Sequence, residues 1–155
     1  MQKAIVIREY GSSSVLKMEK INVGEPGIGE LLVQHTAIGV HFHDVYVRTG
    51  LYKTLNLPGI PGLEAVGVIL KIGPEVSEFK PGDRVGYISS EYGAYASHRI
   101  LNEKLAVKIP DLISDELIAT NFSRAITVQM LIKQVTRLQP DDTIIITAAT
   151  GGVGK

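Results

Sequence analysis

The chain of 155 residues contains no cysteine. That excludes disulfides and any thiolate-bound metal cluster, and it fits a reducing compartment. Net charge is absent too, because sixteen Lys and Arg balance sixteen Asp and Glu. No surplus of either sign points to nucleic acid or to a membrane surface. No apolar run approaches the length of a membrane span. The N-terminus, with Lys3, Arg8 and Glu9, lacks the apolar block of a signal peptide. Internal repeats and low-complexity segments are also missing. These absences leave an ordinary soluble globular protein, expected in the cytoplasm, with 45% hydrophobic and 21% charged residues.

What is present in the first two-thirds is β-rich. Residues 3–10, 15–23, 30–40, 62–73 and 85–88 read as strands between Gly, Pro and Ser turns, with one or two more within 95–109. Residues 30–40 show only a partial period of two. Gly67, inside a strand, predicts a bulge or a close approach of backbones. Many short strands at close spacing argue for a closed or nearly closed barrel.

Past Pro110 the character changes. Ser114 suits an N-cap, and Asp115 and Glu116 suit a first helical turn. Ile118, Phe122, Ala125, Ile126, Gln129 and Met130 follow helical spacing. Residues 139–142 then turn the chain into 143–147, a β-branched run that reads as a buried strand. Ala149, Gly151 and Gly154 come next at the spacing of the dinucleotide fingerprint, with alanine in the first glycine's place. A small first residue permits the tight turn. The second lets backbone approach a pyrophosphate, and the third lets helix and strand pack closely. The helix whose N-terminus would hold the phosphates is not among the 155 residues. Residues 149–155 also come close to a phosphate-binding P-loop. Its leading glycine is alanine and the position of its Ser or Thr lies beyond Lys155, so that reading is set aside.

Five motifs in order carry a family resemblance. A-I-G-V-H-F-H-D-V-Y-V-R-T-G-L-Y (37–52), P-G-L-E-A-V-G-V-I (61–69), P-G-D-R-V (81–85), G-A-Y-A (93–96) and A-A-T-G-G-V-G (148–154) resemble zinc-free quinone oxidoreductases. These belong to the medium-chain dehydrogenase/reductase superfamily. The resemblance implies a mainly β fold: a GroES-like β-barrel catalytic domain over 1–124, then the first helix and strand of a Rossmann α/β domain over 125–155. Family members are about twice this length, with the catalytic domain completed near the C-terminus. The chain is therefore expected to be the N-terminal portion of such an enzyme.

The implied activity is hydride transfer from NADPH to a quinone or another electron-poor carbonyl compound. The nucleotide carries that chemistry and the protein orients it. NADPH rather than NADH is implied by the resemblance alone, as are a small-molecule substrate and homo-oligomers. The 155 residues by themselves are expected to bind NADPH weakly or not at all. Two other readings stay open: an inactive truncated product or non-enzymatic interaction barrel, and an enoyl-thioester reductase of the same superfamily.

The resemblance also implies site residues. His41, Asp44, Tyr46 and Tyr52 are the catalytic candidates, able to orient a carbonyl or ribose hydroxyls. Phe42, His43, Asp44, Val45 and Tyr46 would line the nicotinamide. Thr127 would stand near its carboxamide, Met130 would be a further cofactor contact where an aromatic is common, and Gly151, Gly152 and Val153 would lie at the pyrophosphate. His41 stands where the family usually has asparagine, and His43 where an apolar residue is common. His35 and His98 read as core or surface residues. Zinc-dependent relatives place a cysteine and a histidine where this chain has His41 and Leu63, beside Glu64. A catalytic zinc needs three protein ligands, so no metal is expected.

Overall fold

The computed structural model describes residues 1–154. They fall into two compact units, Met1–Ala119 and a second that starts at Thr120. The first is built on seven strands. β1 (Lys3–Val6) and β2 (Lys17–Lys20) form an antiparallel pair. β3 (Glu30–Gly39), β4 (Glu64–Ile72), β5 (Arg84–Ile88), β6 (His98–Asn102) and β7 (Val107–Lys108) form a five-stranded antiparallel sheet in the order β6-β3-β4-β5-β7. Residues 95–97 join the two sheets. Ile5 N–H donates to Tyr95 C=O (2.8 Å), and His35 N–H donates to Ser97 C=O (2.9 Å).

Alternation along the strands explains the core. Leu31 and Val33 of β3, Ala65 and Ile69 of β4, Val85 and Tyr87 of β5 and Leu101 of β6 meet with Phe79 and Ala94 in one cluster. Burying each large aliphatic side chain contributes about 1.5–3 kcal/mol. Gly67 has the expected close approach: a Cβ there would lie 2.2 Å from the Gln34 carbonyl oxygen. The β3–β4 register also shifts between His35 and Ala37. That irregularity, with another between Leu32 and Val33, accounts for the weak alternation of residues 30–40.

Two helices follow from their caps. α1 (Phe42–Thr49) begins where Asp44, in its first turn, accepts the His41 backbone N–H (2.9 Å). It ends at Gly50, whose φ of 82° is the left-handed C-cap that glycine adopts without penalty. α2 (Asp115–Met130) is capped by Ser114, whose Oγ accepts from Leu117 N–H (3.3 Å). Arg84 pins the start of α2 by donating to Asp115 and to the Ile113 carbonyl (2.7 Å). Ile118 and Ala119 pack against Val66 and Ile109. The helix continues as a π-turn over Leu131–Val135.

The second unit departs from the sequence reading at one place. Residues 143–147 pair with no strand and make no backbone hydrogen bond among the described residues. A strand of a parallel sheet exists only through its neighbours, and no neighbour is present here. Ile145 is accordingly 92% exposed. The glycine turn follows as successive turns, with Gly151 N–H donating to Ala148 C=O (2.8 Å) and Gly154 N–H to Gly151 C=O (3.2 Å). Lys155, the last residue of the rejected P-loop pattern, lies outside the described residues. Among the described residues no helix is long and apolar enough to cross a membrane.

Candidate functional site

α1 gathers most of the sequence-predicted residues because it follows β3 directly and projects side chains three and four residues apart to one side. The Phe42 ring meets Tyr46 edge-on at 5.2 Å, and Tyr46 meets Tyr52 edge-on at 5.2 Å. Tyr52 lies 5.5 Å from the His43 ring, and His43 stacks on Tyr92 at 6.2 Å with 13° between planes. A continuous row of rings results. Phe42 at one end is 71% exposed, and Tyr92 at the other is 5% exposed. Edge-to-face and offset contacts of this kind fix ring orientation.

The polar groups around α1 divide by burial. Glu64, at the start of β4, is fully buried and accepts a hydrogen bond from His41 Nε2 at 2.6 Å. Carboxylates only accept, so His41 carries its proton on Nε2. Asp44 is buried as well. Its Oδ2 accepts from the Tyr95 hydroxyl (2.9 Å) and from the His41 backbone, while Oδ1 has no partner. Burial and the Asp44 carboxylate push the Tyr95 phenol well above its ordinary value. Asp44 thus ties the start of α1 to the 93–97 segment, whereas Tyr46, Tyr52 and His43 remain partly or largely accessible. Val45 is half-buried on the same helix.

His35 belongs to the core. Its Nδ1–H donates to Ala96 C=O (2.6 Å) and its Nε2 accepts from Tyr87 (3.0 Å). Burial lowers its imidazole from 6.5 to about 4. His98 is half-buried and bonded to Ser97 Oγ (2.9 Å). Among the described residues no three His, Asp or Glu side chains converge as a metal ion would require.

In the second unit, Thr127 Oγ1 donates to the Ser123 carbonyl (2.8 Å). Met130 closes α2 and is 40% exposed. The Arg124 side chain lies over Gly152, where a Cβ would sit 2.5 Å from Arg124 Nε. Backbone amides and a cation side by side suit an anion.

The profile of the alcohol dehydrogenase GroES-like domain matches residues 27–111, more than half of the chain. The chain belongs to that family. Over 155 residues it is 38% identical to quinone oxidoreductase 1 of Escherichia coli, covering 99% of this chain and 47% of the relative. Over 154 residues it is 40% identical to a quinone oxidoreductase of Pseudomonas aeruginosa, with the same coverage. The solved structure of a Pseudomonas syringae quinone oxidoreductase superposes with a TM-score of 0.92 at 38% identity, covering 99% of this chain and 47% of that one. The Escherichia coli quinone oxidoreductase complexed with NADPH superposes at 0.92 and 36% identity, covering 98% and 47%. The chain spans about half the length of the curated relatives it matches.

As a GroES-like domain, the first unit combines residues that its sequence motifs did not connect. Glu64 was visible in the P-G-L-E motif and beside the second of the zinc positions, but its bond to His41, 23 positions away, was not. Tyr92 and Thr54 lie between motifs, and nothing local marked them. Arg124 in the second unit was equally silent, because a lone arginine on a helix reads as a solvated charge.

Proposed function

We propose that this GroES-like chain supplies the acceptor-binding part of an NADPH-dependent quinone oxidoreductase. The aromatic row on α1 carries the reading. Flat rings with polar tips suit a flat, electron-poor carbonyl compound, which stacks on π faces and presents oxygens at its edge. The quinone oxidoreductase relatives, one of them solved with NADPH, support the same reaction class. When bound, the nucleotide would supply the hydride. Residues of this chain would orient the acceptor: Tyr46 and Tyr52 by their faces and hydroxyls, Phe42 by its exposed ring.

His41 and Asp44 take a supporting part in this reading. Their hydrogen bonds to Glu64 and Tyr95 hold the start of α1, and with it the row, in one geometry. Gly151, Gly152 and Val153, with Arg124, are the proposed pyrophosphate contacts, Thr127 the contact beside the carboxamide and Met130 a further cofactor contact. Reduction of an enoyl thioester is a second reading. A mitochondrial enoyl-[acyl-carrier-protein] reductase of Xenopus tropicalis, 30% identical over 99% of this chain, favours it. A thioester acceptor has little use for stacked rings, which places it behind the quinone.

Acceptor and nucleotide can be tested separately. Titrating the 155-residue chain with a water-soluble naphthoquinone should give saturable binding that Tyr52→Ala weakens about tenfold, the size of one stacking contact. Equal affinity in the variant overturns the reading. Calorimetric titration with NADPH should show weak binding, at best in the range of about 0.1–1 mM. A dissociation constant near 1 μM overturns the expectation that a fuller sheet must hold the glycine turn.

A further inference from the structure

Hydride addition to a quinone leaves an oxyanion, and the surroundings of α1 limit what can protonate it. His41 Nε2–H is engaged by Glu64, and Asp44 Oδ2 already accepts two hydrogen bonds. His43 differs from both. Its Nε2 lies 3.2 Å from the Tyr92 hydroxyl, which also meets Thr54 Oγ1. Its Nδ1 has no hydrogen-bond partner among the described residues. Tyr92 is 5% exposed, whereas Thr54 and Tyr52 are exposed. A hydrogen-bonded chain therefore runs from solvent at Thr54, through a buried phenol, to an imidazole that meets the accessible Tyr52 ring at a tilt of 52°.

This chain has two senses with the same heavy-atom positions. In one, Thr54 donates to Tyr92, Tyr92 donates to His43 Nε2, and the imidazole proton sits on Nδ1. In the other, Nε2–H donates to Tyr92, Tyr92 donates to Thr54, and Nδ1 is a bare acceptor. A quinone carbonyl needs a donor and selects the first sense. A hydroquinone hydroxyl can donate to Nδ1 and selects the second.

We propose that Thr54, Tyr92 and His43 form a proton relay serving an acceptor seated on the aromatic row, with His43 Nδ1–H bonded to the acceptor's oxygen. The inference rests on the quinone-reduction reading. The step balances: the Nδ1 proton passes to the oxyanion, the Tyr92 proton to Nε2, the Thr54 proton to the Tyr92 oxygen, and water reprotonates Thr54. One solvent proton thus neutralises one oxyanion, and no side chain is left charged. The relay matters because a flat acceptor stacked on the row shields His43 from water while Thr54 stays wet. Departure of the product exposes Nδ1 and resets the chain. Fixed between Tyr52 and Tyr92, the imidazole keeps its orientation throughout.

The test needs no turnover and uses the 155-residue chain with isotope-labelled histidine. The nitrogen resonances of His43 are followed by NMR as naphthoquinone sulfonate, or its hydroquinone, is added. With no cysteine in the chain, the quinone meets no thiol. The relay predicts the Nδ1–H tautomer with the quinone and the Nε2–H tautomer with the hydroquinone. Tyr92→Phe and the exposed-site variant Thr54→Ala should abolish that difference while the quinone still binds. His43→Phe, which keeps the stacked ring, should weaken quinone binding about fivefold, the loss of one neutral hydrogen bond. The same tautomer with both ligands, or no His43 response to a quinone that binds, overturns the relay and leaves the quinone reading standing. Failure of the wild-type chain to bind the quinone overturns both.

Discussion

The two units of the chain treat their apolar side chains in opposite ways. In residues 1–119, Leu31, Val33, Val85 and Tyr87 are wholly buried, and every strand has a neighbour. From Thr120 onward no described residue is buried, and Ile144, Ile145 and Ile146 stand 50%, 92% and 56% exposed. Yet the second unit holds the glycine fingerprint, whose spacing is read directly from the sequence. A motif specifies the backbone chemistry of a few positions. A core requires facing surfaces, and the glycine spacing can be complete where those surfaces are not.

Paired truncations test this difference most severely. Leu31→Ala should cost about 2–5 kcal/mol, from lost transfer energy and the cavity left behind. Ile145→Ala should change stability by less than about 0.5 kcal/mol, as exposed substitutions do. Urea unfolding followed by circular dichroism measures both. A cost for Ile145→Ala approaching that of Leu31→Ala would show that the second unit has a core of its own.

The next effect concerns pH and belongs to the first unit alone. Burial lowers the His35 imidazole from 6.5 to about 4. Between those values the unfolded chain binds more protons than the folded one, so stability rises with pH across that window. The contribution is fully present above pH 6.5 and is lost as the pH falls towards 4. Its ceiling is ~3 kcal/mol. His35→Gln should flatten the denaturation midpoint against pH in this window. A slope unchanged by the substitution would place the sensitivity elsewhere.

The outline of the first unit was legible in the sequence because Gly, Pro and Ser clusters punctuate it. Strand positions, the Ser114 cap and the close approach at Gly67 all follow from local chemistry. The order β6-β3-β4-β5-β7 does not, since a period of two assigns faces and says nothing of neighbours. The interior place of His35 was open for the same reason. Tyr87 and Ala96, which satisfy its ring, lie 52 and 61 residues away. Around α1 the motif brought Phe42, Tyr46 and Tyr52 to notice, but left Tyr92, whose contact with His43 crosses 49 positions. Residues 143–147 mark the reverse case: their β-branched pattern is local, and the pairing that makes a strand is not.

A smaller effect separates support from contact at α1. Tyr95→Phe removes the hydroxyl bonded to buried Asp44, whose Oδ1 already lacks a partner. Leaving a buried carboxylate short of a donor should cost about 1–3 kcal/mol. Quinone affinity should fall only as far as α1 loosens. A loss of affinity without loss of stability would move Tyr95 and Asp44 from support to direct contact with the acceptor.

The smallest expected effect lies in the second unit, at Thr127. Its hydroxyl donates to the Ser123 carbonyl one turn back, a bond that does little for a helix and is common without any ligand. Thr127→Val keeps the shape and removes the hydroxyl, so stability should stay within about 0.5 kcal/mol. NADPH binding then distinguishes two uses of the same group. If the hydroxyl only serves the helix, the weak affinity for NADPH is the same in both proteins. If it also reaches the nucleotide, the variant binds about fivefold less tightly with no change in unfolding, as loss of one neutral hydrogen bond requires. The second outcome would give the less buried unit a ligand-facing side chain before it has a buried one.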